Sequence, residues 1–239
     1  MRKLITTAVF ALVACTFSVA QDAGGFKPDA GANNFELNFV PLNGKPIQLT
    51  YIRYRRFLSP TMAFRLGVGL SYASTKADSV FTSNLNVDNK VTAQYKKSTL
   101  GWEIKPGIEK HMKGTDRLSP YMGAELDLAG ASSKEITPLG IDSQDELTTQ
   151  TDKNKSKGGF FRLGINLVAG FDCYITHHLY LGSEFGFGFQ MVNYSKYTSS
   201  TSYPSSVTNP PKDPDAVTQG KEMNIGPNFN SAIRLGWIF

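Results

Sequence analysis

In segment after segment between residue 61 and the last residue, apolar side chains recur at every second position, and the positions between them hold mostly glycine and charge. A period of two is the repeat of an extended strand, whose successive side chains point to opposite faces. In residues 61–74, Met62, Phe64, Leu66, Val68, Leu70 and Tyr72 share one face, and Ala63, Arg65, Gly67, Gly69, Ser71 and Ala73 the other. The same split runs through 100–109, 121–128, 159–173, 178–193 and 229–239. Two earlier segments, 35–39 and 49–58, are less regular, the second carrying Arg53 and Arg55. Eight strands are therefore expected.

An amphipathic strand also suits a water-soluble sandwich, so the composition of the two faces decides. A solvated face should carry Lys, Thr, Ser and Gln. Here the polar face carries Gly67, Gly69, Gly101, Gly107, Gly123, Gly164, Gly170, Gly182, Gly186, Gly188 and Gly236. Beside them stand charges of both signs: Arg65, Arg162 and Arg234 with Glu103, Glu125, Asp127 and Glu184. Eight closed strands leave an interior just wide enough for side chains, where some positions must be tiny and others pair charges across the lumen. These seven residues are expected to form a lumenal ion-pair network. The opposite face is continuous, large and aromatic, which suits hydrocarbon. In lipid the backbone has no water to bond, so such strands must close on themselves. The expected fold is all-β, an eight-stranded antiparallel transmembrane β-barrel, with ten strands as the alternative if 131–157 or 195–227 hides a further hairpin.

Connection lengths alternate accordingly. The turns at 58–61, 111–117 and 174–177 are short, whereas 75–92, 131–157 and 195–227 are long. Short periplasmic turns and long extracellular loops are the rule for outer-membrane barrels; the connection at 41–46 is the exception. Aromatic residues collect near strand ends, with Phe171, Tyr174, Tyr180, Trp237 and Phe239 expected at the periplasmic boundary. Tyr72, Tyr95, Phe160, Tyr194 and Phe229 are expected at the outer one, and Trp102 sits nearer mid-strand.

The N-terminus reads as an export signal. Arg2 and Lys3 precede the apolar stretch 4–13, and Ser18-Val19-Ala20 forms a small-x-small cleavage site before Gln21. The alternative is a lipobox ending at Cys15. Residues 1–20 are assigned to the signal, 21–32 to a periplasmic lead-in and 33–239 to the barrel. Losing Arg2 and Lys3 lowers the formal charge from +5 to +3, which gives no argument for nucleic acid. Loss of Cys15 would leave Cys173 as a solitary thiol. The 41 % apolar content excludes disorder, and the only long apolar run is N-terminal, which excludes a polytopic helical protein.

The chain resembles the small outer-membrane β-barrels of the OmpA-transmembrane-domain and OmpX type over roughly residues 33–239. The resemblance rests on the last strand, Phe229-Asn230-Ser231-Ala232-Ile233-Arg234-Leu235-Gly236-Trp237-Ile238-Phe239, and on the Arg-Arg-Phe-Leu-Ser-Pro hairpin within 54–70. It implies that Ile233, Leu235, Trp237 and Phe239 form the signal read by the barrel-assembly machinery. No peptidoglycan-binding domain follows the last strand, so cell-wall anchoring is not carried over.

Catalysis in such barrels needs a Ser–His or Asp–His constellation near the outer leaflet. His111, His177 and His178 all fall in expected periplasmic turns, where they read as solvated. No catalytic residue, metal site or cofactor is assigned. The expected function is a non-enzymatic outer-membrane protein whose extracellular loops contact lipopolysaccharide, the environment or another envelope protein. Alternatives are an accessory subunit of a transport or secretion complex, and a lipid-modifying enzyme or hydrophobic-ligand transporter.

Overall fold

The computed structural model describes residues 25–39, 47–82, 90–138, 153–202 and 212–239. The expected signal, Cys15 and parts of the long loops lie outside these residues. Nine strands follow one another: β1 (Asn33–Phe39), β2 (Ile47–Ser59), β3 (Met62–Thr82), β4 (Lys90–His111), β5 (Leu118–Pro138), β6 (Lys153–Tyr174), β7 (Leu179–Tyr194), β8 (Thr198–Ser202) and β9 (Lys221–Ile238). Eight of them form a ring. The order is β5-β4-β3-β2-β1-β9-β7-β6, and β5 pairs back onto β6. All pairings are antiparallel, with β1 closing against β9 through Phe35↔Trp237 and Leu37↔Leu235. The short β8 adds only to the outer end of β6, so the further pairing that the ten-strand alternative required lies outside the ring.

The barrel is polar inside and apolar outside. Among the described residues, sixteen polar or charged side chains are buried but only ten apolar ones, while Leu70, Leu167, Phe185 and Ile165 stand more than half exposed on the outer wall. Monomers in water rarely show contiguous apolar patches beyond a few hundred Å². A wall of this kind is complementary to acyl chains. The Trp102 indole lies flat over Gly130 of the neighbouring strand, within 3.0 Å of where a Cβ would stand.

Three short turns gather at one end of the ring, between β2 and β3, β4 and β5, and β6 and β7. Gly114, in the β4–β5 turn, has φ +51 and a side-chain direction blocked by the Leu118 carbonyl, so glycine is required there. At the other end the strands run on. The β3–β4 ladder continues to Thr82↔Lys90 and the β5–β6 ladder to Pro138↔Lys153. Much of what reads as loop at 75–92 and 131–157 is therefore paired strand. Apolar alternation stops where the lipid stops, whereas backbone pairing does not depend on it.

Three further expectations are corrected, for Tyr174 and Tyr180, for His111 and for Cys173. Tyr174 and Tyr180 do not sit at the lipid boundary; they are 1 % and 0 % exposed and point into the ring. His111 is buried rather than solvated. The lead-in at 25–32 folds under the turn end: Phe26 stacks on His177 and under Arg117, and the Phe57 N–H donates to the Ala32 carbonyl. Cys173 is buried and is not a free thiol.

Candidate functional site: the barrel lumen

Every strand of the ring sends at least one polar side chain into one buried lattice. Glu36 comes from β1, Arg53 and Arg55 from β2, Arg65 from β3, Glu109 from β4, Tyr121 and Glu125 from β5, Asp172 from β6, Tyr180 and Glu184 from β7, and Arg234 from β9. The alternation that turns apolar groups outward leaves these no other direction.

Arg55 and Arg234 hold the turn-side half. Arg55 contacts Glu36 at 2.6 Å, Asp172 at 2.8 Å and Glu109 at 2.9 Å, and donates to the Tyr180 hydroxyl at 2.6 Å. Arg234 meets Glu36 and Asp172 at 3.0 Å each. Its Nη2 also donates to the carbonyls of Phe171 and Ser183. Arg53 and Arg65 hold the next level. Both grip Glu184, Arg65 with Nη1 and Nη2 at 2.9 and 3.0 Å. Arg65 adds Glu109 and Glu125 at 2.9 Å each, and the Tyr121 hydroxyl donates to Glu184 at 2.5 Å. Four guanidinium groups thus face five carboxylates with exposures of at most 7 %. Charges this deeply buried persist only when paired.

Below the lattice lies an aromatic floor. Tyr174, Tyr180 and Ile238 pack together with Phe26 and Ala32 beneath them. His111 lies between the Phe57 and Tyr121 rings, with centroids 5.2 Å away in each case. Its Nδ1 is 2.9 Å from the Ser119 hydroxyl and its Nε2 3.3 Å from Glu109. Ser, His and carboxylate in that order resemble a hydrolytic triad. However, Ser119 is 3 % exposed, Glu109 is already shared by two arginines, and the cavity described next does not reach it.

Above the lattice the lumen opens into a cavity of about 480 Å³, floored by Arg53 and Glu184. A second, looser charge group lines it: Arg162 lies 3.1 Å from Asp127 and 3.4 Å from Glu103, and Lys105 lies 3.2 Å from Glu103. The Tyr51 hydroxyl, buried and without a hydrogen-bond partner, lies over Gly67, where a Cβ would come within 2.0 Å of it.

The structure places all seven charges singled out in the sequence on the inner face, but in two groups. Arg65, Arg234, Glu125 and Glu184 belong to the tight lattice, and Arg162, Glu103 and Asp127 to the cavity above it. Glu36, Arg53, Arg55, Glu109 and Asp172 complete the lattice and were not singled out. Of the four C-terminal residues, Leu235, Trp237 and Phe239 face outward and Ile233 is half-buried; the first two and Ile233 lie on β9, and Phe239 directly follows it. Among the described residues no group of His, Cys, Asp and Glu has the geometry of a metal site.

A family model describing OmpA-OmpF-like porins matches residues 47–208, more than half of the chain. No curated protein matches it.

Proposed function

Since the chain belongs to the OmpA-OmpF-like porin family, and so to the outer-membrane β-barrels, we propose that it is a non-enzymatic membrane anchor that presents its long hairpins outside the cell. Its periplasmic half is closed by the charge lattice, and its termini and short turns face the periplasm. The observation that carries this reading is the asymmetry of the wall. Tight turns end it on one side; on the other, β3–β6 run on past the apolar band and β8 adds to them. A transmembrane strand needs about 9–11 residues, and these strands have 21 or 22. Rigid elements that stand clear of the membrane are suited to contact what surrounds the cell.

A protease-cleavable epitope inserted at Thr218, in the exposed segment 212–220, tests the orientation. The expected result is antibody labelling and cleavage on intact cells. Labelling only after the outer membrane has been permeabilised would contradict it.

A further inference from the structure

Above the apolar band, the outer face of the extended hairpins carries a lysine cluster that the barrel itself does not neutralise. The ladders give its layout. The rows Leu70–Trp102–Gly130–Phe161 and Tyr72–Leu100–Ser132–Gly159 run across β3, β4, β5 and β6 on the lipid-facing side. The next row on that side is Ser74–Ser98–Lys134–Lys157, and the one after it Lys76–Lys96–Ile136–Lys155. Five lysines thus share one face. Lys76, Lys134, Lys155 and Lys157 are exposed and Lys96 half-buried. None has an acidic partner among the described residues. Among the described residues, the one carboxylate on this face of β3–β6, Asp78, lies a row further out and accepts a hydrogen bond from Gln94 at 3.1 Å. The nearby Lys97–Glu135 pair, 3.4 Å apart, lies on the opposite face.

Two of these contacts are like-charge pairs directly across a ladder, Lys76↔Lys96 and Lys134↔Lys157. Such pairs destabilise a sheet unless an anion lies between them. Their height identifies the anion. Two residues of strand advance about 7 Å, or about 5 Å along the membrane normal at a tilt of about 45°, so the lysine rows stand about 5 and 10 Å above Tyr72 and Leu100. The headgroup zone, which adds roughly 5–8 Å to each side of the hydrocarbon, takes in the first row and ends just below the second.

We propose that this face binds the phosphate groups of an anionic lipid of the outer leaflet, a phosphorylated glycolipid whose acyl chains lie against the apolar rows below. The inference rests on the membrane-spanning reading and adds to it a ligand class and a site. Strands about 4.8 Å apart place neighbouring ammonium groups close enough to share one phosphate.

Native mass spectrometry of the full chain, extracted in non-ionic detergent and titrated with bisphosphorylated lipid A, reads the binding directly. The expected result is retained lipid A, weakened by salt. Apparent affinity should fall at least about tenfold in Lys76→Gln/Lys96→Gln/Lys134→Gln/Lys157→Gln, and in part in each pairwise variant. Lys196→Gln/Lys212→Gln/Lys221→Gln should bind as the parent does. Equal binding of dephosphorylated lipid A, or unchanged binding by the quadruple variant, would overturn the proposal. Complete competition by inorganic pyrophosphate at the lipid's own concentration would make this a general phosphate site and overturn the lipid assignment. A boiling-dependent gel shift, measured in parallel, separates the two failures: its absence in the parent would count against the membrane barrel, its presence without lipid binding against this site alone.

Discussion

Arg55 joins more of the barrel than any single backbone ladder, because its guanidinium meets side chains from β1, β4, β6 and β7 at once. A buried salt bridge is not in itself a source of stability, but removing one partner strands the others without water. Arg55→Met should therefore cost about 3–5 kcal/mol, read from urea unfolding of protein refolded in vesicles. Arg162→Met, whose side chain is 24 % exposed beside the cavity, should cost about 1 kcal/mol or less. Equal losses would mean that the lattice is not as dry as the structure makes it. Much of this site could be read in the sequence and part could not. Arg65, Arg234, Glu125 and Glu184 stand in long, regular alternations, so their inward direction is legible. Glu36, Arg53 and Arg55 alternate just as strictly, but β1 has only seven residues and β2 turns Tyr51 and Phe57 inward beside its arginines, so neither face of these strands stands out as the apolar one. His111 was misplaced because strand β4 ends on it rather than before it, turning the ring into the floor.

At the scale of elements, β9 has the most to do. It pairs β7 over most of its length and closes the ring on β1, where the Asn33 and Phe239 backbones exchange hydrogen bonds at 3.1 and 2.9 Å. The Phe239 ring also stacks on Phe35, 5.5 Å between centroids. Phe239→Ala keeps the backbone bonds and loses a stacking contact of about 0.5–1.5 kcal/mol, so protein refolded in detergent should keep its boiling-dependent shift. If Phe239 also belongs to the assembly signal, the same variant should lose most of its outer-membrane recovery in cells, as measured by pulse-labelling. Full recovery would restrict its role to packing. Strand identity was legible wherever lipid dictated the outward face. The outer halves of β3–β6 were not, because residues such as 73–78 are exposed on both faces and hold their conformation through pairing alone.

For the whole molecule, the ring turns the usual order of a folded protein inside out. Its four lattice arginines, with exposures of 0–3 %, are better buried than its leucines, and the aromatic floor, charge lattice and cavity succeed one another from the turn end outward. That order makes sense only if hydrocarbon is the outer solvent. Trp102 tests it directly, since it lies on the outer wall at 40 % exposure between Leu100 and Ile104. In Trp237→Phe protein refolded into vesicles of lipids brominated along the acyl chain, Trp102 is the only remaining tryptophan. Its fluorescence is expected to be blue-shifted and strongly quenched by the bromines, while aqueous iodide leaves it untouched. Emission that iodide quenches and brominated chains do not would place the wall in water and contradict the account.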